Sequence, residues 1–376
     1  MKRLISLISC ILFLALSGCV QPSIIDDILM AEAEGLDYLG DNKVLGTITV
    51  PNYVTGGVSG SGGGGLPATA AMMSSASAIT YDGKSLVEKL QVKGQKAIRV
   101  GKLRVMLLNK AYLQHGIRKL IEFRNQDPDV GRDLYLIMVD GSTKELLEGT
   151  YQTQIPISRY IYDLIFHNQE KNFPLSNMKI FMYKYYGAHM NAYMPIIKKQ
   201  GKHIVLTGYA LIENNRYAGT VMGDNANFIF KSLLETVNLG YYDYEYKPGQ
   251  HFVLEDIQST ISYKVKNGNG AEPKITAQVK MSGNVRQGNP EIKTKNYYTK
   301  MKKKLQNHLE NRMENMVAAF QKKGVDPIGL GDIARSYTRH FNDSSWEDHY
   351  PNAQFRAHVS IDINETGSSE MHDSSS

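Results

Sequence analysis

Residues 103–141 constrain the fold more than any other stretch. Leu103-Arg104-Val105-Met106-Leu107-Leu108 and Leu134-Tyr135-Leu136-Ile137-Met138-Val139 are nearly unbroken apolar runs of strand length. Runs of this kind belong to strands buried on both faces, as in the middle of a parallel sheet. Between them Leu113, Ile117, Leu120, Ile121 and Arg124 recur at helical spacing, and Asp127-Pro128 stops the helix because proline cannot continue it. Asp140-Gly141 closes the second strand. A strand, a helix and a strand predict a parallel pair joined by a right-handed crossover. The first domain is therefore α/β.

The flanking segments add elements on both sides. Residues 20–45 are mixed and acidic, with Asp26-Asp27, Glu32 and Glu34, and no element is read before residue 43. Residues 43–54 alternate and are rich in Val, Ile and Thr, which predicts a strand. Residues 55–65 are dense in glycine and read as a flexible loop, and the small polar residues 66–77 continue it. A short amphipathic helix begins at 85–91, with Leu86, Val87 and Leu90 on one face. Residues 160–166 read as helix and 178–186 as strand.

A domain boundary is expected near residues 192–199. Beyond it, 202–212 and 216–222 read as strands joined by Asn214-Asn215, a hairpin turn signal. Residues 228–239 read as a helix ending at Gly240, followed by a tyrosine-dense strand at 241–246 and alternating strands at 251–285. Residues 296–323 form one long helix, because Met301, Leu305, Leu309, Met313, Met316, Val317 and Phe320 repeat every three or four residues. Gly324 caps it. A second helix at 328–339 and a strand at 355–363 complete the pattern. The fold class expected is α+β or mixed α/β, in two to three domains, each a mixed sheet packed with helices. The domains are an N-terminal α/β domain at 19–190, a middle α+β segment at 191–250 and a C-terminal α+β domain at 251–367. A Ser-rich tail at 368–376 reads as disordered.

The first residues carry a different message. Lys2 and Arg3 precede an apolar run that ends in Leu16-Ser17-Gly18-Cys19. A charged start and an apolar stretch too short for a transmembrane helix of roughly 20 residues form a signal peptide, here residues 1–18. The tetrapeptide resembles the lipobox of bacterial lipoproteins, which implies diacylglyceryl transfer to the Cys19 thiol and cleavage before it. Two acyl chains, at about 0.8 kcal/mol per buried CH₂, anchor a protein stably where one chain does not. The other cysteine, Cys10, lies inside the signal, so no internal disulfide or cysteine metal site is expected after cleavage. The net charge of +6 falls to +4 without Lys2 and Arg3, which fits a neighbour of anionic headgroups and does not argue for nucleic acid.

Catalytic and cofactor patterns are not found. Gly83-Lys84-Ser85 resembles the end of a phosphate-binding loop, but the glycine required five residues before Gly83 is Ala78. The glycines of 56–65 lack a strand–turn–helix context, and Ser61 stands where a nucleophile elbow around Ser59 needs glycine. No His-Glu-X-X-His spacing occurs, and His340, His349 and His358, nine apart, match no ligand spacing within one helix. Asp127, Asp129 and Asp133 read as a helix stop and strand entry rather than a calcium loop, which needs more oxygen ligands. The tyrosines at 183–186 and 241–246 suit sheet packing first and a protein interface second. No cofactor, metal or catalytic residue is assigned.

Taken together, the segments resemble the Ger(x)C family, the lipoprotein C subunits of spore germinant receptors. The resemblance runs through Ile79-Thr80-Tyr81-Asp82-Gly83-Lys84-Ser85-Leu86, through 101–108, through Leu113-Gln114-His115-Gly116-Ile117 and Arg124-Asn125-Gln126-Asp127-Pro128, and through Tyr193-Met194-Pro195 with Gly208-Tyr209-Ala210-Leu211-Ile212. Its most specific part is Gly324-Val325-Asp326-Pro327-Ile328-Gly329-Leu330-Gly331-Asp332, then Trp346, Tyr350-Pro351 and a strand ending at Gly367. Val20-Gln21-Pro22 departs from the family, which often has a tryptophan and an Asp-Arg pair there, and the glycine-rich insertion is unusual.

The resemblance implies a non-enzymatic C subunit, lipidated on Cys19, that assembles with integral-membrane A and B subunits on the outer face of the spore inner membrane. It implies a part in nutrient-triggered germination. Two rivals stay open from the residues alone. A lipid-anchored solute-binding protein serving a transporter predicts affinity for a small solute, and an envelope hydrolase predicts a pocket with paired carboxylates or a nucleophile–base pair. From the residues themselves, Trp346 is expected to anchor C-terminal packing, and Asp326-Pro327 with Gly329 and Gly331 to form a tight helix-to-helix junction.

Overall fold

The computed structural model describes residues 28–51, 73–81, 84–92, 96–128, 130–285 and 295–364. The expectations placed on the signal peptide, on Cys19, on the loop 55–65 and on the tail 368–376 lie outside the described residues. The chain begins with β1 (Ile28–Met30), β2 (Ala33–Gly40), β3 (Lys43–Pro51), β4 (Met73–Thr80), α1 (Lys84–Gln91) and β5 (Ala97–Arg99). Then come β6 (Val105–Asn109), α2 (Lys110–His115), α3 (Arg118–Gln126), β7 (Tyr135–Val139), α4 (Thr143–Leu147), α5 (Ile157–Gln169) and α6 (Met178–Tyr186). The next elements are β8 (Tyr193–Gln200), β9 (His203–Glu213), β10 (Arg216–Met222), α7 (Asp224–Leu234), β11 (Val237–Lys247), β12 (Gln250–Lys266) and β13 (Lys274–Val285). The chain closes with α8 (Lys295–Lys322), α9 (Leu330–Tyr337), α10 (Trp346–His349) and β14 (Gln354–Asn364).

Mixed sheets packed with helices form the architecture, as the sequence predicts. The larger sheet has eight strands in the order β10-β9-β8-β7-β6-β2-β3-β4. β6 and β7 pair in parallel, with Val105 opposite Tyr135 and Leu108 opposite Met138. Alternation splits their apolar runs between two cores. Met106, Leu108, Leu136 and Met138 face α2, α3 and α6, while Val105, Leu107, Tyr135 and Ile137 face α4 and α5. Each of these side chains is almost fully buried, which contributes about 1.5–3 kcal/mol apiece relative to exposure.

The smaller sheet has the order β11-β12-β13-β14, antiparallel except for the parallel pair β13–β14. One face is covered by α8, whose Met301, Leu305, Leu309, Met313, Val317 and Phe320 are all buried, as the spacing predicts. α8 also closes the outer edge of β14. Glu310 accepts from the Val359 amide at 2.9 Å and Glu314 from the Ala357 amide at 3.1 Å. Carboxylates one helical turn apart thus satisfy alternate edge N–H groups that would otherwise invite another strand.

Several local expectations are corrected. The helix read through Leu113 and Arg124 is two helices, broken at Gly116 with φ 128°, where the Ile117 amide bonds instead to the Asn215 carbonyl. Residues 178–186 are helix, not strand. Asn177 caps the Ile180 amide at 3.0 Å, and Met178, Phe181 and Met182 are buried while Tyr183 and Tyr186 are exposed, a period of 3.6 rather than 2. The helix read at 228–239 starts at Asp224 and ends at Leu234. Gly240 is not its cap but a residue of β11, where a Cβ would lie 2.8 Å from both Phe228 and Val237.

The loop read at 66–77 turns into β4 from Met73, paired with β3 as the edge of the larger sheet. β2, unread in the acidic stretch before residue 43, is an interior strand between β3 and β6. The boundary expected at 190/191 does not divide the sheet, because β8 pairs with β7 across it, Met138 opposite Ile196. The Asn214-Asn215 hairpin forms as expected, with both residues at positive φ, 49° and 66°.

Candidate functional site

The most specific sequence segments converge where the larger sheet meets the smaller one. Gly324, at φ 65°, ends α8, and the chain runs through Asp326-Pro327 to Gly329, at φ 87°, before α9. Asp326 is 5% exposed. Its two carboxylate oxygens accept from the Gly329 amide at 2.8 Å and the Gly331 amide at 2.9 Å. These are the unpaired donors at the start of α9, so the carboxylate caps the helix and meets the positive end of its dipole. Burial pushes the Asp326 carboxyl up, and the backbone donors of Leu330, Gly331 and Gly329 together with Lys184 oppose the shift.

Lys184 comes from α6, across the join. Its Nζ donates to the Pro327 carbonyl at 2.8 Å and lies 5.3 Å from the centre of the Tyr193 ring. Burial lowers its pKa to about 8, against the pull of Asp326, Glu235 and Asp332. Asn191, which leads into β8, donates from its amide to the Asp326 carbonyl at 2.8 Å and accepts from the Asp326 amide at 2.5 Å.

Trp346 lies on the other side of the same loop, 3% exposed, between Phe341 and Tyr350. Gly331 passes directly beneath it. A Cβ on Gly331 would fall 2.3 Å from the indole Nε1 and 2.5 Å from the His189 Cβ. The Tyr350 hydroxyl donates to the Val325 carbonyl at 2.7 Å, and His189 Nε2 bonds Asp343 at 2.7 Å. The expected anchor role of Trp346 and the expected junction at 326–331 are one structure.

A second contact joins the layers through α7. Lys231, 3% exposed, donates to the Gln169 and Phe173 carbonyls and lies 3.4 Å from Glu235, which accepts from the Leu175 amide at 2.9 Å. Asn172 pairs with both backbone groups of Tyr241, at 2.8 and 2.9 Å, as a strand would. Beside the main join lies a cleft of about 390 Å³, whose lining includes Arg118, Glu122, Tyr185, Tyr186, Glu213 and Glu347. Burial raises the Glu213 carboxyl, and the Asn191 side-chain amide donates to it.

The residues singled out from sequence have separate fates. Tyr242 is buried, with its hydroxyl 2.9 Å from His308 Nε2, whereas Tyr183 and Tyr186 face solvent. Among the described residues no group of three or more His, Cys, Asp or Glu is arranged to hold a metal, and no helix is long and apolar enough to cross a membrane. One buried cluster was missed. Arg124 pairs with Glu34, both about 2–3% exposed, and lies 3.7 Å from Asp127. The signal was legible: an arginine at a core-facing helical position needs a buried acid.

Comparisons with known proteins match this architecture. The solved structure described as the crystal structure of the GerBC protein aligns with a TM-score of 0.55 at 15% identity, covering 88% of this chain and 96% of that one. The layered plan is thus that of a GerBC-like fold. The spore germination protein GerQC of Bacillus cereus is 27% identical over 373 residues, covering 96% of this chain and 99% of its own length. The family described as spore germination protein N-terminal domain matches residues 21–199, and the one described as spore germination B3/GerAC like, C-terminal, matches 207–367. The chain belongs to the Ger(x)C family of spore germination proteins. The two matched segments meet at the β8–β9 hairpin, inside the larger sheet.

Proposed function

We propose that this chain is the lipid-anchored C subunit of a nutrient germinant receptor, acting without catalysis in receptor assembly and in the signal that starts spore germination. The observation that carries this reading is membership of the Ger(x)C family across both matched segments, joined to a leader, residues 1–18, whose last residues Leu16-Ser17-Gly18 directly precede Cys19. Cys19 is the lipidation site. The partners are the integral-membrane A and B subunits, met at the outer face of the spore inner membrane. The arrangement of buried charge supports a coupling role. Lys184 and Lys231 each donate from one layer to carbonyls of the other, and the backbone of Asp326 bonds Asn191 across the same join, so the two layers are held as one body.

The test is Cys19→Ala in spores. The chain should leave the membrane fraction and germination on nutrients should fall. Unchanged germination would remove membrane anchoring from the account. The cleft beside the join favours one other reading, a lipid-anchored solute-binding protein serving a membrane transporter. That reading requires measurable heats when amino acids or sugars are titrated into the chain, and their absence would eliminate it.

A further inference from the structure

The face of the smaller sheet turned away from α8 has an uneven charge distribution. On β12, β13 and β14, residues of one parity form the core: Val265, Ile275 and Phe355 stand in one cross-strand row, and Ile261, Val279 and Val359 in another. Residues of the other parity face outward, and a row of Gln258, Ser282 and Asp362, whose carboxylate lies 3.3 Å from Lys302, borders four successive rows that hold no carboxylate. Lys266 stands directly opposite Lys274, Lys264 and Arg356 flank Thr276, and Lys280 and His358 continue the array. Every remaining position in these rows is Ser, Thr or Gln, so five cations stand together with no carboxylate among them. Lys264, Lys266, Lys274, Lys280 and Arg356 are exposed.

Local neutralisation is limited. Arg356 reaches over the sheet edge to Glu314 at 3.0 Å. Glu272, in the turn before β13, is engaged with the Gln354 side chain at 2.9 Å. The four lysines have no acidic partner within ion-pair distance among the described residues. Like charges directly opposite each other on neighbouring strands destabilise a sheet, and the Lys266–Lys274 pair does so with no internal compensation.

We propose that this face docks on anionic phospholipid headgroups. The rows span about 20 Å by 10 Å, a flat array of ammonium groups and hydroxyl or amide donors matched to phosphates. No Phe, Tyr or Trp stands in the four rows and His358 is the one ring among them, so the face lacks the successive stacking platforms of a single-stranded nucleic-acid groove, and a nucleic-acid partner is disfavoured. The inference rests on the membrane-anchored reading above and adds to it the surface that faces the bilayer. The lipid on Cys19 holds the chain near the membrane, and the basic face orients it. Each lysine near an anionic leaflet contributes about fivefold to retention.

The full chain, purified in detergent, is incorporated into phosphatidylcholine vesicles and into vesicles containing 30% phosphatidylglycerol, and lysine acetylation rates are read by mass spectrometry. On phosphatidylglycerol, Lys264, Lys266, Lys274 and Lys280 should react at least fivefold more slowly than on phosphatidylcholine. Protection should vanish in high salt, and Lys303 and Lys304 on α8 should react alike on both. In Lys264→Glu/Lys266→Glu, whose sites are exposed, Lys274 and Lys280 should lose the protection. Equal rates on the two vesicles overturn the proposal. So does protection that needs an added protein partner or nucleic acid. Flotation with pure phosphatidylcholine vesicles reads the anchor separately: a chain that fails to float there but is protected on phosphatidylglycerol refutes lipidation and supports the face.

Discussion

Asn191 and Asp326 hold the two sheet layers together by a reciprocal pair of hydrogen bonds, amide to carbonyl in one direction and amide to side-chain oxygen in the other. Both of these bonds cross from one layer to the other, so the pair exists only when both layers are docked. The Asn191 side chain also donates to Glu213. Asn191→Ala therefore leaves a buried Asp326 amide and a half-buried Glu213 carboxylate without their donor or acceptor. The expected loss is about 1–3 kcal/mol. Thermal unfolding should show it as a lower midpoint, and an unchanged midpoint would mean that the layers dock by other contacts.

The lysine beneath that pair makes stability depend on pH. The Lys184 pKa is about 8 in the folded chain because burial disfavours the charge. In the unfolded chain it returns to about 10.4. Between these values the unfolded state holds more protons than the folded one, so this group's contribution to stability rises with pH from about 8 to about 10.4. Below pH 8 its burial penalty is present in full. The stability difference between the natural chain and Lys184→Met should therefore shift in favour of the natural chain by up to about 3 kcal/mol across that window. Urea unfolding of both at pH 7, 9 and 10 measures it, and a constant difference would refute the assigned burial.

Gly331 has no room for a methyl group, since Trp346 and His189 occupy the space. Gly331→Ala should destabilise the chain by about 1–3 kcal/mol through overpacking. Trp346 is the one tryptophan in the sequence, so its fluorescence reports the site without ambiguity. The emission should shift to longer wavelength as the indole is displaced. A variant with unchanged emission and stability would mean that the loop yields without disturbing the ring.

The edge of β14 gives a residue-level test. Glu310→Ala and Glu314→Ala each remove the acceptor for one edge amide, Val359 and Ala357 respectively. Each substitution should lower stability by about 0.5–1.5 kcal/mol. Hydrogen exchange should quicken at the amide whose acceptor is lost and not at the other. Equal exchange in both variants would mean that these carboxylates do not close the edge.

What could be read from the residues followed from how strongly each local pattern excluded alternatives. β6 and β7 were legible because runs such as Met106–Leu108 and Ile137–Val139 fit only a strand buried on both faces. α8 was legible because seven apolar positions, Met301 to Phe320, kept one period over more than five turns. α6 was misread because its tyrosines, Tyr183 and Tyr186, sit on the solvent side and masked the buried stripe of Met178, Phe181 and Met182. β2 escaped because Glu34 and Asp37 look like surface residues. They are buried only because Arg124 pairs with one and the Ser142, Thr143 and Lys144 groups bond the other, partners some 90 to 107 residues away in sequence. At the junction, the sequence pointed to Asp326, Gly329, Gly331 and Trp346. Lys184 and Asn191 became visible only in three dimensions, because nothing local marks a lysine as a donor to a carbonyl 143 residues away.

The central claim is that this chain works as one subunit of a membrane complex. The most direct measurement is purification of the tagged, full-length chain from detergent-solubilised spore membranes, with the recovered proteins identified and quantified. The account predicts that two integral-membrane subunits are recovered with it in near-equal amounts, and that both are lost with the Cys19→Ala chain. Recovery of the chain alone from membranes in which those two proteins are present and intact would contradict it.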